Sequence, residues 1–191
     1  MNIAVYAASS TRLDAAYYEA ARAIGHELAR RGIGLVNGAG NMGLMAATAD
    51  ACLQDGGTVT GVIPTFMVEQ DWHHKGLTRL IETADMHERK HTMAMLSDAC
   101  IAMPGGCGTL EELMEVITWK QLGIYLKPIV ILNLRGYYDH LLQQLEHGIE
   151  EHFMGERHRD IWRVATTATE AVELAVSTPL WDPSVRKFAA I

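Results

Sequence analysis

The residues best suited to chemistry lie in Pro104-Gly105-Gly106-Cys107-Gly108-Thr109-Leu110-Glu111-Glu112. Glycines let backbone approach a ligand closely. A helix N-terminus presents unpaired N–H groups and a partial positive charge, so a Gly-rich loop opening a helix is an anion site, most often for phosphate. Thr109 adds a hydroxyl, and Glu112 follows about one helical turn later. A carboxylate there is poorly suited to gripping phosphate, but it suits chemistry on whatever carries the phosphate. The segment is not a Walker A loop, because it lacks the lysine and the GK[ST] ending. First-turn acids also favour a helix dipole, which accounts well for Glu111 and loosely for Glu115.

Two further segments compete for roles. Gly38-Ala39-Gly40-Asn41-Met42-Gly43 has GxGxxG spacing. It lies after a second strand, and the third strand ends Gly61-Val62-Ile63-Pro64 with no acid for a ribose, which disfavours NAD. Phosphate or nucleotide contact and a purely structural turn both stay open there. His87-Glu88-Arg89-Lys90-His91 matches the zinc-peptidase pattern H-E-x-x-H literally. Arg and Lys between the histidines oppose a dication, so no metal is expected. Arg89 is read instead as an anion or substrate clamp facing the glycine motif, with a solvated helix start as the alternative.

These segments need a scaffold. Short apolar strands at Ile3–Ala7, Ile33–Val36, Thr58–Ile63, Ala99–Met103 and Lys127–Leu132 alternate with helices at Asp14–Arg31, Leu44–Gln54, Asp85–Leu96, Leu110–Leu122 and Tyr138–Glu151. Gly32 closes the first helix. Residues 65–84 read as a loop with a short strand at Leu80-Ile81-Glu82. Ile161–Val164 reads as a last strand, and Thr169–Ser177 as a last helix capped by Thr169. The tail from Thr178 reads as lying on the surface. The alternation predicts one α/β domain over 1–191, a doubly wound parallel sheet of Rossmann-like type with helices on both faces. Ligands in such sheets bind beyond the carboxyl ends of strands, near a switch in strand order. Loops 8–11, 37–43 and 104–109 all follow strands, and their convergence on one crevice is expected.

Composition narrows the function classes. At 191 residues the chain is long enough to bury a real core. A net charge of −7 argues against general nucleic-acid binding. No apolar run reaches membrane-spanning length. Cys52 and Cys100 sit in apolar settings, and an odd cysteine count without a signal peptide suggests a reducing cytoplasm.

The motif PGGxGTxxE at 104–112 resembles the signature of the LOG family, cytokinin-activating phosphoribohydrolases long mislabelled as lysine decarboxylases. The likeness continues in Gly38 to Met45, Gly61-Val62-Ile63-Pro64, Met86-His87-Glu88-Arg89-Lys90, Thr118-Trp119-Lys120-Gln121-Leu122-Gly123, Lys127-Pro128 and Asn133-Leu134-Arg135-Gly136-Tyr137-Tyr138. It covers roughly residues 1–155. The resemblance implies a Rossmann-like homodimer that cleaves the N-glycosidic bond of a purine nucleoside 5′-monophosphate, of cytokinin type or AMP, to free base and ribose 5-phosphate. It implies Arg89 and Glu112 as the catalytic pair, a phosphate cradle of Gly105, Gly106, Gly108 and Thr109, and no cofactor or metal. Gly38, Gly40 and Ser9 from the other loops, with Met86 and Lys90 beside Arg89, complete the expected substrate contacts. Phe66, Met67 and Trp72 are candidates to line a base pocket. The chain departs from the family pattern at Ala8, Ala39, Ala46 and Cys107, and no role is assigned to Cys107. The competing class is a non-catalytic nucleotide or molybdenum-cofactor carrier, a group to which this fold is similar.

Overall fold

The computed structural model describes residues 1–184, so the expectation for the tail beyond 184 lies outside the described residues. Seven parallel strands form one sheet: β1 (Asn2–Tyr6), β2 (Gly34–Asn37), β3 (Val59–Pro64), β4 (Arg79–Thr83), β5 (Ala99–Ala102), β6 (Ile129–Leu132) and β7 (Arg163–Ala165). Among the described residues, seven α-helices connect and flank them: α1 (Ala15–Arg30), α2 (Gly43–Gln54), α3 (Thr65–Glu69), α4 (Met86–Leu96), α5 (Cys107–Gln121), α6 (Asp139–Glu150) and α7 (Ala168–Ser177). The strand order is β4-β3-β2-β1-β5-β6-β7. The chain therefore winds outward from β1 in one direction, returns to its other side at β5, and winds outward again.

Alternation along each strand divides the core. Ile3 and Val5 of β1, Leu35 of β2 and Ile101 of β5 face a layer containing Ile24, Leu28, Leu44 and Val172 of α1, α2 and α7. Ala4, Tyr6, Val36, Cys100 and Ala102 face Met93, Leu113, Val116 and Ile149 of α4, α5 and α6. Both faces are covered, as a wholly parallel sheet requires. On the first face α1 and α2 approach so closely that a Cβ on Gly25 would lie 2.3 Å from the Thr48 carbonyl oxygen.

Local boundaries correct the sequence reading in five places, one of them β6, which starts at Ile129 and not at Lys127. Helix α5 begins at Cys107, not Leu110, so Gly108 and Thr109 belong to its first turn. None of Gly105, Gly106 and Gly108 takes a positive φ, and nothing in their backbone delays the helix. Residues 65–84 contain the short helix α3 as well as β4, which pairs with β3 from Thr60 to Pro64. The last strand starts at Arg163, two residues later than expected. Finally, Thr167 and not Thr169 caps α7. Its hydroxyl accepts from Glu170 N–H (3.2 Å) while the Glu170 carboxylate accepts from Thr166 N–H (2.7 Å), an exchange that fits one register only.

Candidate functional site

The switch in strand order falls between β1 and β5. Tyr6 pairs with Ala102, and Met103 N–H donates to the Tyr6 carbonyl at 2.9 Å, so the loops leaving the two strands start side by side. Between them opens a crevice of roughly 380 Å³, walled by Ala7–Ser10, Met45, Met67, Met86, Arg89, Gly106–Thr109 and Glu112. A more apolar cavity of roughly 290 Å³ adjoins it, shares Ser9, Met45, Met67 and Arg89, and adds Gly38, Gly40, Asn41, Met42 and Trp72. The three strand-following loops thus meet around one site.

The N-terminus of α5 forms the anion-seeking wall. Gly106 is the cap, and Leu110 N–H makes the first intrahelical bond, to Gly106 O, at 3.0 Å. The amides of Cys107, Gly108 and Thr109 precede that bond and belong to the turn that helix geometry leaves without internal acceptors. Gly106 and Gly108 are open, with nothing within 4 Å of an added Cβ. Gly105 is different: its Cβ would lie 2.1 Å from Thr109 Oγ1, so its bareness lets Thr109 tuck in beside the loop.

The N-terminus of α2, by contrast, is already satisfied. The Ala8 carbonyl accepts from Leu44 N–H (2.8 Å) and Met45 N–H (3.3 Å). Gly43, at φ +66°, lies so near this loop that a Cβ would sit 2.6 Å from Ala8 O. The GxGxxG segment is thus a packing device more than a second phosphate cradle. Its Gly38 and Gly40 reach the apolar cavity only.

The acid and the cation come from successive helices on one face of the sheet. Arg89, in the first turns of α4, donates through Nη1 to Glu112 Oε1 at 2.9 Å and through Nε to the Val62 carbonyl at 3.1 Å. Both side chains are under a tenth exposed. Gly38 makes the space, since a Cβ there would lie 1.8 Å from Arg89 Nη2. Burial pushes the Glu112 carboxyl above its ordinary range, and Arg89 opposes that shift without cancelling it. The result is a carboxylate held ready beside solvent, with a basicity raised above that of a free glutamate.

The expected residues divide accordingly. Glu112, Arg89, Gly106, Gly108, Thr109, Ser9 and Met86 line the larger crevice. Lys90 does not join them, which corrects the sequence expectation. It lies one residue on from Arg89 around the α4 helix, and its Nζ pairs with Glu111 (2.8 Å) and Glu115 (3.3 Å) between α4 and α5. Burial alone lowers the Lys90 pKa, but the two carboxylates outweigh it and hold the ammonium above its usual range. Gly105 is buried behind the loop and not on the crevice wall. Met67 and Trp72 line the apolar cavity, whereas Phe66 is exposed and is absent from both walls. His91 stacks edge-on against Trp119 at 5.9 Å and Glu88 accepts from Ala84 N–H at 2.7 Å, so the H-E-x-x-H residues serve packing and capping. Among the described residues no group of three or more His, Cys, Asp or Glu is placed to hold a metal. Cys52 and Cys100 are buried, and Cys107 is exposed at the crevice.

Sequence reasoning misses Met45 and the Val62 carbonyl. The last is invisible to any side-chain pattern, and Met45 reads as an ordinary helix residue.

A glycine-opened helix at the switch point of a doubly wound parallel sheet, with a buried Arg–Glu pair beside it, defines a Rossmann-like α/β protein with a candidate anion site. Within that class the chain belongs to the LOG family: a family model described as possible lysine decarboxylase matches residues 45–175. A cytokinin riboside 5′-monophosphate phosphoribohydrolase of Arabidopsis thaliana is 44% identical over 90% of this chain and 80% of its own length. A probable enzyme of the same name from Oryza sativa subsp. japonica is 42% identical over 97% of this chain and 74% of its own. The fold is also similar to the molybdenum-cofactor carrier protein of Chlamydomonas reinhardtii, with a TM-score of 0.67 and 22% identity over 90% of this chain and 93% of that one. The molybdenum cofactor binding protein of Rippkaea orientalis is comparable, with a TM-score of 0.68 and 21% identity over 92% of this chain and 94% of that one.

Proposed function

We propose that this protein hydrolyses the N-glycosidic bond of a purine nucleoside 5′-monophosphate, releasing the free base and ribose 5-phosphate. The observation that carries the reading is the buried Arg89–Glu112 pair facing the crevice beside the open N-terminus of α5. The Arabidopsis relative is named a phosphoribohydrolase and the rice relative a probable one, which supports the same reaction class.

In this reading the amides at 106–109 and the Thr109 hydroxyl hold the 5′-phosphate and so fix the ribose. Binding energy from that remote group is spent on orientation at C1′. Cleavage builds positive charge on the ribose, an oxocarbenium-like state that a fixed carboxylate stabilises. Glu112 supplies that carboxylate and takes a proton from the attacking water. The hydroxyl adds to C1′, the C1′–N9 bond breaks, and the proton passes by way of Glu112 or solvent to the departing purine. Arg89 keeps Glu112 ionised and oriented. The adjoining cavity of Met42, Met45, Met67 and Trp72 receives the base, and its apolar lining suits an N6 hydrocarbon substituent. The active form in this reading is a cytoplasmic homodimer.

Incubation with AMP and with an N6-isopentenyl analogue, followed by chromatography, tests the reading. Free base should appear with both, and Glu112→Gln should retain binding while losing about 10²- to 10⁴-fold in turnover. Tight binding without base release by the unaltered protein identifies a carrier instead. Base release by Glu112→Gln at the normal rate removes Glu112 from the chemistry.

A further inference from the structure

The turn between β6 and α6 has a construction that the reaction as described does not use. Two successive residues, Arg135 (φ 56°) and Gly136 (φ 72°), take left-handed conformations. For Arg135 this costs on the order of a kcal/mol or more. Arg135 pairs with Asp14 at the start of α1 (3.1 Å), and Asn133 ties the turn together by accepting from Tyr138 N–H and donating to Asp139, each at 2.7 Å. The turn delivers two consecutive tyrosines to one short stretch of backbone. Tyr138 Oη donates to the Met103 carbonyl at 2.6 Å, and Tyr137 Oη donates to the Gly105 carbonyl at 2.7 Å. The Tyr137 ring stands edge-on to Tyr17 of α1 (6.2 Å) and to Tyr138 (4.9 Å).

Tyr137 reaches the glycine loop from behind. With Tyr17, Pro104, Gly105 and Gly106 it lines a small pocket of roughly 100 Å³, while Gly106 alone of these also lines the larger crevice. A trans peptide is planar, and its C=O and N–H point in opposite directions. Drawing the Gly105 oxygen back toward Tyr137 therefore turns the Gly106 N–H forward. A Gly-Gly peptide has little steric resistance to rotation. The reverse orientation would present a carbonyl oxygen to the anion.

We infer that Tyr137 is a positioning residue: its hydroxyl, held by the β6–α6 turn, fixes the Gly105–Gly106 peptide with the amide toward the crevice and so sets affinity for the phosphate of the substrate. Tyr138 anchors the same loop one step earlier, at Met103. This deepens the proposed function, since it rests on the loop being the phosphate site, but it concerns binding and not bond cleavage. Burial pushes the Tyr138 hydroxyl above its ordinary range, which keeps it a neutral donor.

The test is Tyr137→Phe in the full-length protein, which keeps the ring contacts and removes one oxygen. Titration calorimetry measures ribose 5-phosphate, AMP and adenosine, and kinetics separate KM from kcat. Losing a neutral hydrogen bond predicts a three- to tenfold weaker affinity for ribose 5-phosphate and AMP. KM for AMP should rise by about the same factor, with adenosine affinity unchanged within about twofold. Unchanged ribose 5-phosphate affinity in Tyr137→Phe, or equal weakening of adenosine and AMP, overturns the inference. If the unaltered protein binds ribose 5-phosphate yet releases no base, the reaction reading fails while the binding comparison still decides the role of Tyr137.

Discussion

Gly38→Ala tests the architecture at a point that touches neither acid nor phosphate loop. The added methyl would sit 1.8 Å from Arg89 Nη2, against the 3.4 Å at which ordinary contact begins. The guanidinium cannot simply slide away, because Nε is held by Val62 O and Nη1 by Glu112. Nor can the Gly38 backbone retreat freely, as Asn37 before it is buried and paired through β2 with Gly61 of β3. At least one hydrogen bond to a charged group should be lost, about 1.5–3 kcal/mol. In a chain of this size that lowers Tm by about 3–12 °C. Moving Arg89 by an ångström or more should also reduce kcat/KM about 10²-fold. Circular dichroism melting and chromatographic assay of base release measure both. Gly148→Ala is the control: its methyl meets nothing closer than Met154 Sδ at 3.9 Å, and alanine within α6 should add about 0.5–1 kcal/mol of stability without altering turnover. A Gly38→Ala protein with normal melting and normal turnover refutes the packing argument. Lowered melting with normal turnover refutes the link from Arg89 geometry to rate.

Two further outcomes follow from the site's charges. Lys90→Met should lower stability by about 1–2 kcal/mol through loss of the Glu111 and Glu115 pairs, since one buried partner goes but the carboxylates left behind are partly solvated; nucleotide KM should stay within about twofold, and a large rise returns Lys90 to the substrate site. The Glu112 carboxyl is raised by burial, so its base form is lost as pH falls through a value above that of a free glutamate. The acidic limb of kcat/KM should therefore lie above the ordinary glutamate range, and Arg89→Gln should move the residual limb higher still by removing the opposing cation. A limb at or below pH 4 contradicts that assignment.

Much of this arrangement is legible from residue order because parallel α/β units repeat a strong local pattern. The apolar strands, the alanine-rich helices and the placing of three polar loops after strands follow from periodicity and from Gly and Pro punctuation. The pairing of Arg89 with Glu112 is legible only through the family resemblance, because nothing local joins positions on successive helices. Lys90 misleads because it neighbours Arg89 in sequence, while one step around a helix turns a side chain by about 100°. The second glycine motif admits two readings in sequence because its spacing matches a phosphate loop, whereas only the fold shows the Ala8 carbonyl accepting from the first amides of α2 and Gly38 and Gly40 lining the apolar cavity. The start of α5 is missed because Cys107 and Gly108 are weak helix formers that tertiary context places in the first turn.

The central position of β1 bears on how the chain is made. Its partner β2 begins at residue 34, but the contacts on its other side, such as Asn2 with Asp98, span 96 residues of sequence. At roughly 5–20 residues per second, a ribosome leaves that side of β1 without its neighbour for about 5–20 s. Once β2 has been made, the half-sheet formed without β5 ends in Ile3-Ala4-Val5, an apolar strand bearing free amides and carbonyls, the kind of edge that recruits stray strands. The crevice lies on that same seam, so its walls come together only at the step that pairs this edge.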